Sequence, residues 1–327
     1  MTTYKGIRGL TIRTVAGDIS PVALGDIWYD SSAKAIKVGK TTAAAWASGG
    51  AMNTARRNVG GAGATQTAAI VVGGTPPQTG ITETYDGSSW TEVADLNTAR
   101  VAIAGDGTTT AAIFAGGYTT PPTVFQQTAE TWNGASWTEV GDLNTGRNSA
   151  GAMGTSTALE YAGGTADGAI DNSETWNGTA WTEGANLNGA RSGMGAAGTS
   201  TAGGVFGGLP SPNTPISLHE QHDGSSWTEV ADLATGRYNL TGFGTQTACV
   251  SALGNAGSIT AVSDIWDGSA WAATATASEA RQGLGSAGTT TAGVVFAGIN
   301  PPLSPAFRAT TEEYTGTSVD AASVTSS

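Results

Sequence analysis

The stretch Thr82–Arg100, TETYDGSSWTEVADLNTAR, organises the reading of this chain, because copies of it recur along most of the 327 residues. The copies place Trp at 46, 90, 137, 181, 227 and 271, and ten residues after each stands Arg56, Arg100, Arg147, Arg191, Arg237 or Arg281. Successive Trp spacings are 44, 47, 44, 46 and 44 residues. A steady period in this range marks a repeat architecture, in which each unit buries its apolar face against its neighbours.

Working outward from Arg100, each unit follows one grammar. A Gly/Ala-rich strand comes first, then a tight turn of the GTTTA type. A second, apolar strand ends in a small-residue pair: Gly73-Gly74, Gly116-Gly117, Gly163-Gly164 and Gly207-Gly208, replaced by Leu253-Gly254 and Ala297-Gly298 in the last two units. After a loop of variable length, a third strand carries Tyr85, Trp132, Trp176, His222, Trp266 or Tyr314. Asp-Gly or Asn-Gly then turns the chain into the Trp strand, as at Asp86-Gly87 and Asn133-Gly134, because these residues tolerate the positive φ of a tight hairpin. The last unit has Thr315-Gly316 at this turn and Val319 where Trp is expected. Four short antiparallel strands per unit make a propeller blade.

Arg, the glycine doublet, the aromatic-Asp/Asn-Gly turn and the following Trp, in that order, resemble Kelch repeats over residues 41–319. The resemblance implies an all-β fold: a six-bladed Kelch-like β-propeller of four-stranded blades, with a short β extension before it. The expected missing outer strand of the last blade is Ala43 to Ser48, containing Trp46, so that an N-terminal strand closes the ring and removes its exposed edges. The repeated Trp are expected as core wedges, each burying about 150–250 Å². The six Arg, all in one structural phase, are expected to hydrogen-bond and ion-pair to neighbouring blades; the alternative is an Arg-lined channel for an anion.

Residues 1–40 fall outside the repeat and 320–327 form a tail. In GDIWYDSSAKAIKVGK, Gly25 to Lys40, Asp30, Ser31 and Ser32 supply turn chemistry between two strands. This segment resembles a short hairpin module of phage tail-fibre and other virion proteins. The resemblance implies attachment to other virion proteins through Ile27, Trp28 and Tyr29.

A formal charge of −12 provides no basic footprint for a phosphate backbone, so no direct nucleic-acid partner is expected. The N-terminus lacks a signal-peptide apolar region and no run approaches eighteen apolar residues, so synthesis in the host cytoplasm without a membrane span is expected. Cys249, the single cysteine, reads as a small buried hydrophobe. His219 and His222 are the only histidines, and no Cys-His site, Ser/His/Asp order or metal-ligand spacing can be assembled. DGSSW has a superficial likeness to the Asp-box of sialidases but sits at a structural turn. No cofactor, metal or enzymatic activity is expected.

Strand parity sends the uniform turns to one face and the variable loops to the other. The variable loops, Thr75–Thr82, Tyr118–Ala129, Thr165–Ser173, Leu209–Glu220, Asn255–Val262 and Ile299–Thr311, gather prolines and aromatics. Recognition commonly lives on loops held by a rigid scaffold, and proline lowers the entropy cost of binding. The expected binding positions are Pro76, Pro77, Tyr118, Phe125, Pro212, His219, Pro302, Phe307 and Arg308. The resulting expectation is a non-enzymatic phage virion protein, associated with a tail or fibre and present in several copies per particle. Its propeller would serve as a scaffold that touches a host-surface glycan or protein. The alternatives are a capsid decoration protein or a free glycan- or protein-binding propeller.

Overall fold

A computed structural model describes residues 12–211, 213–301, 303 and 305–324. The chain divides into two units, residues 45–315 and residues 1–44 with 316–327. The first is a six-bladed β-propeller. Its blades are six four-stranded antiparallel sheets, and the innermost strands pack side by side in a closed circle.

Blade one consists of Gly60–Thr65, Ala68–Val72, Thr82–Tyr85 and Trp90–Val93, from the axis outward. Four further blades repeat this order. In the sixth, Gly285–Thr289, Ala292–Phe296 and Thr311–Thr315 are completed by Ala45–Ser48 from the other end of the chain, with Trp46 opposite Tyr314. The N-terminal strand therefore closes the ring as expected.

The chain after Thr315 does not turn back into blade six. Thr315 lacks the side-chain oxygen placed as in the other turns, where Asp86 accepts the N–H groups of Ser88 and Ser89 across a four-residue loop, and the slot the chain would fill is already occupied by Ala45–Ser48. Instead Ser318–Ser323, part of which was expected as a tail, pairs antiparallel with Ala35–Thr42. The second unit is thus a four-stranded sheet ordered Arg13–Val15, Ile27–Asp30, Ala35–Thr42, Ser318–Ser323. The hairpin within it turns where Asp30 was expected to act: its Oδ1 accepts the N–H groups of Gly17, Ser32 and Ala33.

The repeated Trp hold the blades together. Trp90, Trp137, Trp181 and Trp227 are buried, while Trp46 and Trp271 are half-buried. Each stands opposite the aromatic or His of the third strand of its blade, as Trp90 opposite Tyr85 at 5.0 Å across a hairpin and Trp46 opposite Tyr314 without one. Several also reach the preceding blade: Trp90 meets Phe296 edge-on at 4.9 Å, and Trp46 meets Phe243 at 6.4 Å. Five of the six Nε1–H groups donate to a backbone carbonyl just beyond the preceding blade's outer strand, or on the connector that follows it: Gly50, Ala94, Gly141, Ala185 and Ala275. The apolar body of the indole fills the interface while its polar tip stays satisfied.

Candidate functional site

Each repeated Arg lies on the connector that enters a blade, and its side chain is turned inward. All six are no more than 1% exposed and ion-pair with the third strand of the blade they introduce: Arg56 with Glu83, Arg100 with Glu130, Arg147 with Glu174, Arg191 with Glu220, Arg237 with Asp264 and Arg281 with Glu312, at 2.5–2.9 Å. Some of the remaining protons find carbonyls, as where Arg100 Nη1 donates to those of Gly116 and Thr128, while the Nε–H of each of the six has no partner among the described residues. Burial draws the guanidinium groups of Arg56, Arg100, Arg191, Arg237 and Arg281 below the usual arginine range, and the facing carboxylates oppose that shift. The backbone of the same residues reaches the other way. The second residue of each doublet donates to an Arg carbonyl of the next blade at 2.7–2.9 Å, ending with Gly298 to Arg56, which crosses the closure. One residue type therefore joins both sides of every blade interface. No channel is lined by these side chains.

Two residues beyond each Arg runs a second belt that sequence reading missed. Ala102 N–H donates to Asn58 O, Ser149 to Ala102, Gly193 to Ser149, Asn239 to Gly193, Gly283 to Asn239 and Asn58 to Gly283, at 2.6–3.0 Å. All six residues have φ of 49–65°, which lets each amide aim at its neighbour around the axis. Asn, Gly and Ser at most of these positions were the available signal, since short polar residues and glycine enter this region most readily.

The belt lies along a central channel of about 550 Å³, walled mainly by Gly, Ala, Ser and Thr of the innermost strands. Asp106 is the one ionisable side chain in that wall among the described residues. Its oxygens accept the N–H groups of Gly107 and, from the neighbouring blade, Gly154, at 2.7 and 2.9 Å. Removal from water pushes its carboxyl up to about 6, against the pull of those two bonds.

The variable loops leave the propeller at the end where the Arg connectors enter. The residue after each Arg bridges the first residue of its loop: Arg57 to Thr75, Val101 to Tyr118, Asn148 to Thr165, Ser192 to Leu209, Tyr238 to Asn255 and Gln282 to Ile299. Pro76 and Pro77 are exposed there. Tyr118 and Phe125 come together as register partners in a small hairpin, half-buried, with Val124 47% exposed beside them. Gln78 Oε1 accepts the Thr120 N–H at 2.6 Å and ties the first two loops to each other. Phe307 is half-buried and lies 5.7 Å from the guanidinium of Arg57, a residue sequence reading did not single out.

Two expected binding residues are placed inside the protein. His219 is the first residue of a third strand, not a loop residue, and is 1% exposed between Phe206, Trp266 and Trp271. Its Nδ1 accepts the Nε1–H of Trp271 at 3.2 Å, taking the place of the carbonyl used by the other Trp, and burial lowers the imidazole to about 4. Arg308 is 8% exposed and paired with Glu279. Pro212 and Pro302 lie outside the described residues. In the small unit Ile27 is exposed, Tyr29 half-buried and Trp28 fully buried, which removes Trp28 from any accessible attachment surface.

The turn aspartates are committed locally. Asp86 Oδ1 accepts the N–H groups of Ser88 and Ser89 at 2.8 Å, and such bonds hold the Asp86 and Asp223 carboxyls down to about 2. Cys249 is 1% exposed, and burial pushes its thiol up.

The fold and its loop face define a repeat β-propeller scaffold. Comparison with protein-family models finds no match, and comparison with curated protein sequences finds none either.

Proposed function

We propose that this chain is a non-enzymatic phage virion protein, associated with a tail or fibre, in which a Kelch-like propeller serves as an interaction scaffold. The observation that carries the reading is the pairing of two dissimilar units in one chain. The small sheet contains the Gly25–Lys40 hairpin resembling a virion module, and the propeller carries variable loops at one end. On this reading the small unit contacts other virion proteins and the loop end is presented outward, toward a host-surface glycan or protein. The buried commitments of His219, Cys249 and the Arg residues support a structural role over a catalytic one. Mass spectrometry of purified particles is expected to find the protein in intact virions, and its absence there would sink the proposal. A position on the capsid is told from one on the tail by labelling the particle with an antibody against the propeller.

A free binding module is the second reading, favoured by Arg57. Of the eight Arg in residues 45–315, seven have a carboxylate partner, whereas Arg57 has none among the described residues and rests against Phe307 at the loop end. An aromatic ring beside an uncommitted cation suits an acidic sugar. Glycan-array binding that is lost in Arg57→Ala and Tyr118→Ala/Phe125→Ala, by a protein missing from particles, would favour this reading.

A further inference from the structure

Five of the six outer strands are held to their blades by a covalent turn. Trp90–Val93 follows Thr82–Tyr85 across Asp86–Ser89, and a connection of the same length serves the next four blades. The closing strand has none. Ala45–Ser48 comes from the far end of the chain and pairs over four residues, Ala45 opposite Thr315 to Ser48 opposite Glu312. Its Trp46 is half-buried, where the Trp of four other blades are buried. By these local features blade six is the seam of the ring.

A second ladder begins where this one stops. Thr42 stands opposite Ser318, three residues on from Ala45 along one strand and from Thr315 along the other. The two ladders therefore keep one register, with only Ala43-Ala44 and Gly316-Thr317 between them. Within the small sheet the pairing runs for six positions, from Thr42 opposite Ser318 to Lys37 opposite Ser323, and the Val324 N–H donates to Ile36 O beyond it at 2.8 Å. Ser318–Ser323 is an edge strand, with Ala35–Thr42 as its one neighbour in the sheet.

We propose that the ladder of Ala35–Thr42 with Ser318–Ser323 is a clasp on the propeller: it does for blade six what the Asp-Gly turn does for the others, and its release opens the ring. A strand that must find a partner distant in the chain pays loop-closure entropy, which a short connection to that partner largely removes. With the ladder formed, Ala45–Ser48 and Thr311–Thr315 are joined through two residues on each side and meet at the high effective concentration of a short link. With it broken, their one connection is the chain from Ser48 to Thr311, which is the rest of the propeller. An edge strand leaves by breaking the bonds to a single neighbour, so the clasp peels from its Ser323 end toward blade six. A partner that grips the ladder in its paired form stabilises the closed ring by the same linkage. The inference holds whether or not the chain belongs to a particle.

Amide hydrogen exchange of the full chain, read by mass spectrometry, tests it. Bonded and non-bonded pairs alternate along an antiparallel ladder, so the bond between Val324 and Ile36 assigns the Ala322 N–H to Val38 O and makes Thr41 and Val319 a non-bonded pair. Ala322→Pro removes that donor. It is expected to speed exchange along Ala45–Ser48 and Thr311–Thr315 at least about tenfold, while Trp137–Glu139, an outer strand with its own turn, exchanges as in the wild type. Thr41→Cys/Val319→Cys places two thiols on Cα atoms about 4.5 Å apart, within disulfide range, and Cys249 is buried away from them. Added to Ala322→Pro and oxidised, this pair is expected to return both strands to wild-type exchange, and reduction to release them again. Should Ala322→Pro misfold or leave the small ladder protected, the cysteine pair in the otherwise unchanged chain decides, with slower exchange along both strands when oxidised than when reduced. The clasp is overturned if Ala35–Thr42 loses protection while the closing strand keeps its own, or if oxidation leaves closing-strand exchange unchanged. A rise shared equally by Trp137–Glu139 would also overturn it, since that is a general loss of stability.

Discussion

Arg100 shows how one residue serves two blades: its guanidinium is neutralised by Glu130 while its carbonyl accepts from Gly74 of the blade before. Breaking a buried pair strands the remaining charge, at a cost of about 3–5 kcal/mol. Arg100→Met is therefore expected to destabilise by about that amount in urea unfolding, since it leaves the Glu130 carboxylate without its counter-charge and the carbonyls of Gly116 and Thr128 without this donor. Glu160 is the counter-case. It stands in a second strand, fully buried, where Thr175 donates to Oε2 at 2.8 Å, and burial pushes its carboxyl up to about 7. Asp106 is pushed up to about 6 for the same reason. Both groups hold their proton more tightly folded than unfolded, so their stabilising contribution is complete below the unfolded values near 4. It is lost as pH rises through about 6 to 7. Stability measured by urea midpoint is expected to fall across that window, and Glu160→Gln is expected to flatten the decline; an unchanged slope would remove Glu160 from the account. The Arg phase was legible in the sequence because it repeats. The roles of Glu160 and His219 were not: an apolar strand such as Ala158–Ala162 gives no sign of which position admits a carboxyl, and the polar strand His219–His222 gives no sign of which side chain turns inward.

At the scale of elements, the doublet explains itself through a close approach. A Cβ on Gly163 would lie 2.7 Å from Arg191 O and from Met194 Cε, at a residue with φ of 62°. Gly163→Ala is expected to cost about 1–2 kcal/mol from backbone strain, with the collision added to it, read as a lowered urea midpoint. Leu253 and Ala297 adopt the same conformation, φ 59° and 65°, so the last two units keep the geometry after losing the glycine. The tight turns carry a device the sequence showed only as composition: Thr108, Thr199, Thr245 and Thr289 each accept, through Oγ1, the N–H three residues on. The closing strand is held by Trp46, against Tyr314 and Phe243 and by its bond to Ala275 O. Trp46→Ala is expected to destabilise the propeller by about 3 kcal/mol and to raise amide exchange first along Thr311–Thr315, its ladder partner.

Across the whole molecule, charge is divided as sharply as fold. Each of the six buried Arg of the propeller is cancelled by the carboxylate it pairs with, so the excess of twenty-two Asp or Glu over eight Arg in residues 45–315 falls on its other residues, while the small unit is slightly basic.

The sequence alone determined the propeller, its blade count and its closure. Blade number follows from counting units, strand order from alternation and turn chemistry, and closure from a Trp strand that precedes the first Arg. What only the tertiary structure decided are the relations between units distant in sequence. These include the fate of Ser318–Ser323, the belt of amides around the channel and the burial of His219 and Arg308. They also include which face of the small sheet is covered. Periodicity reports what each unit needs from any neighbour, whereas these features depend on which neighbour it meets, and that is set only when the ring closes.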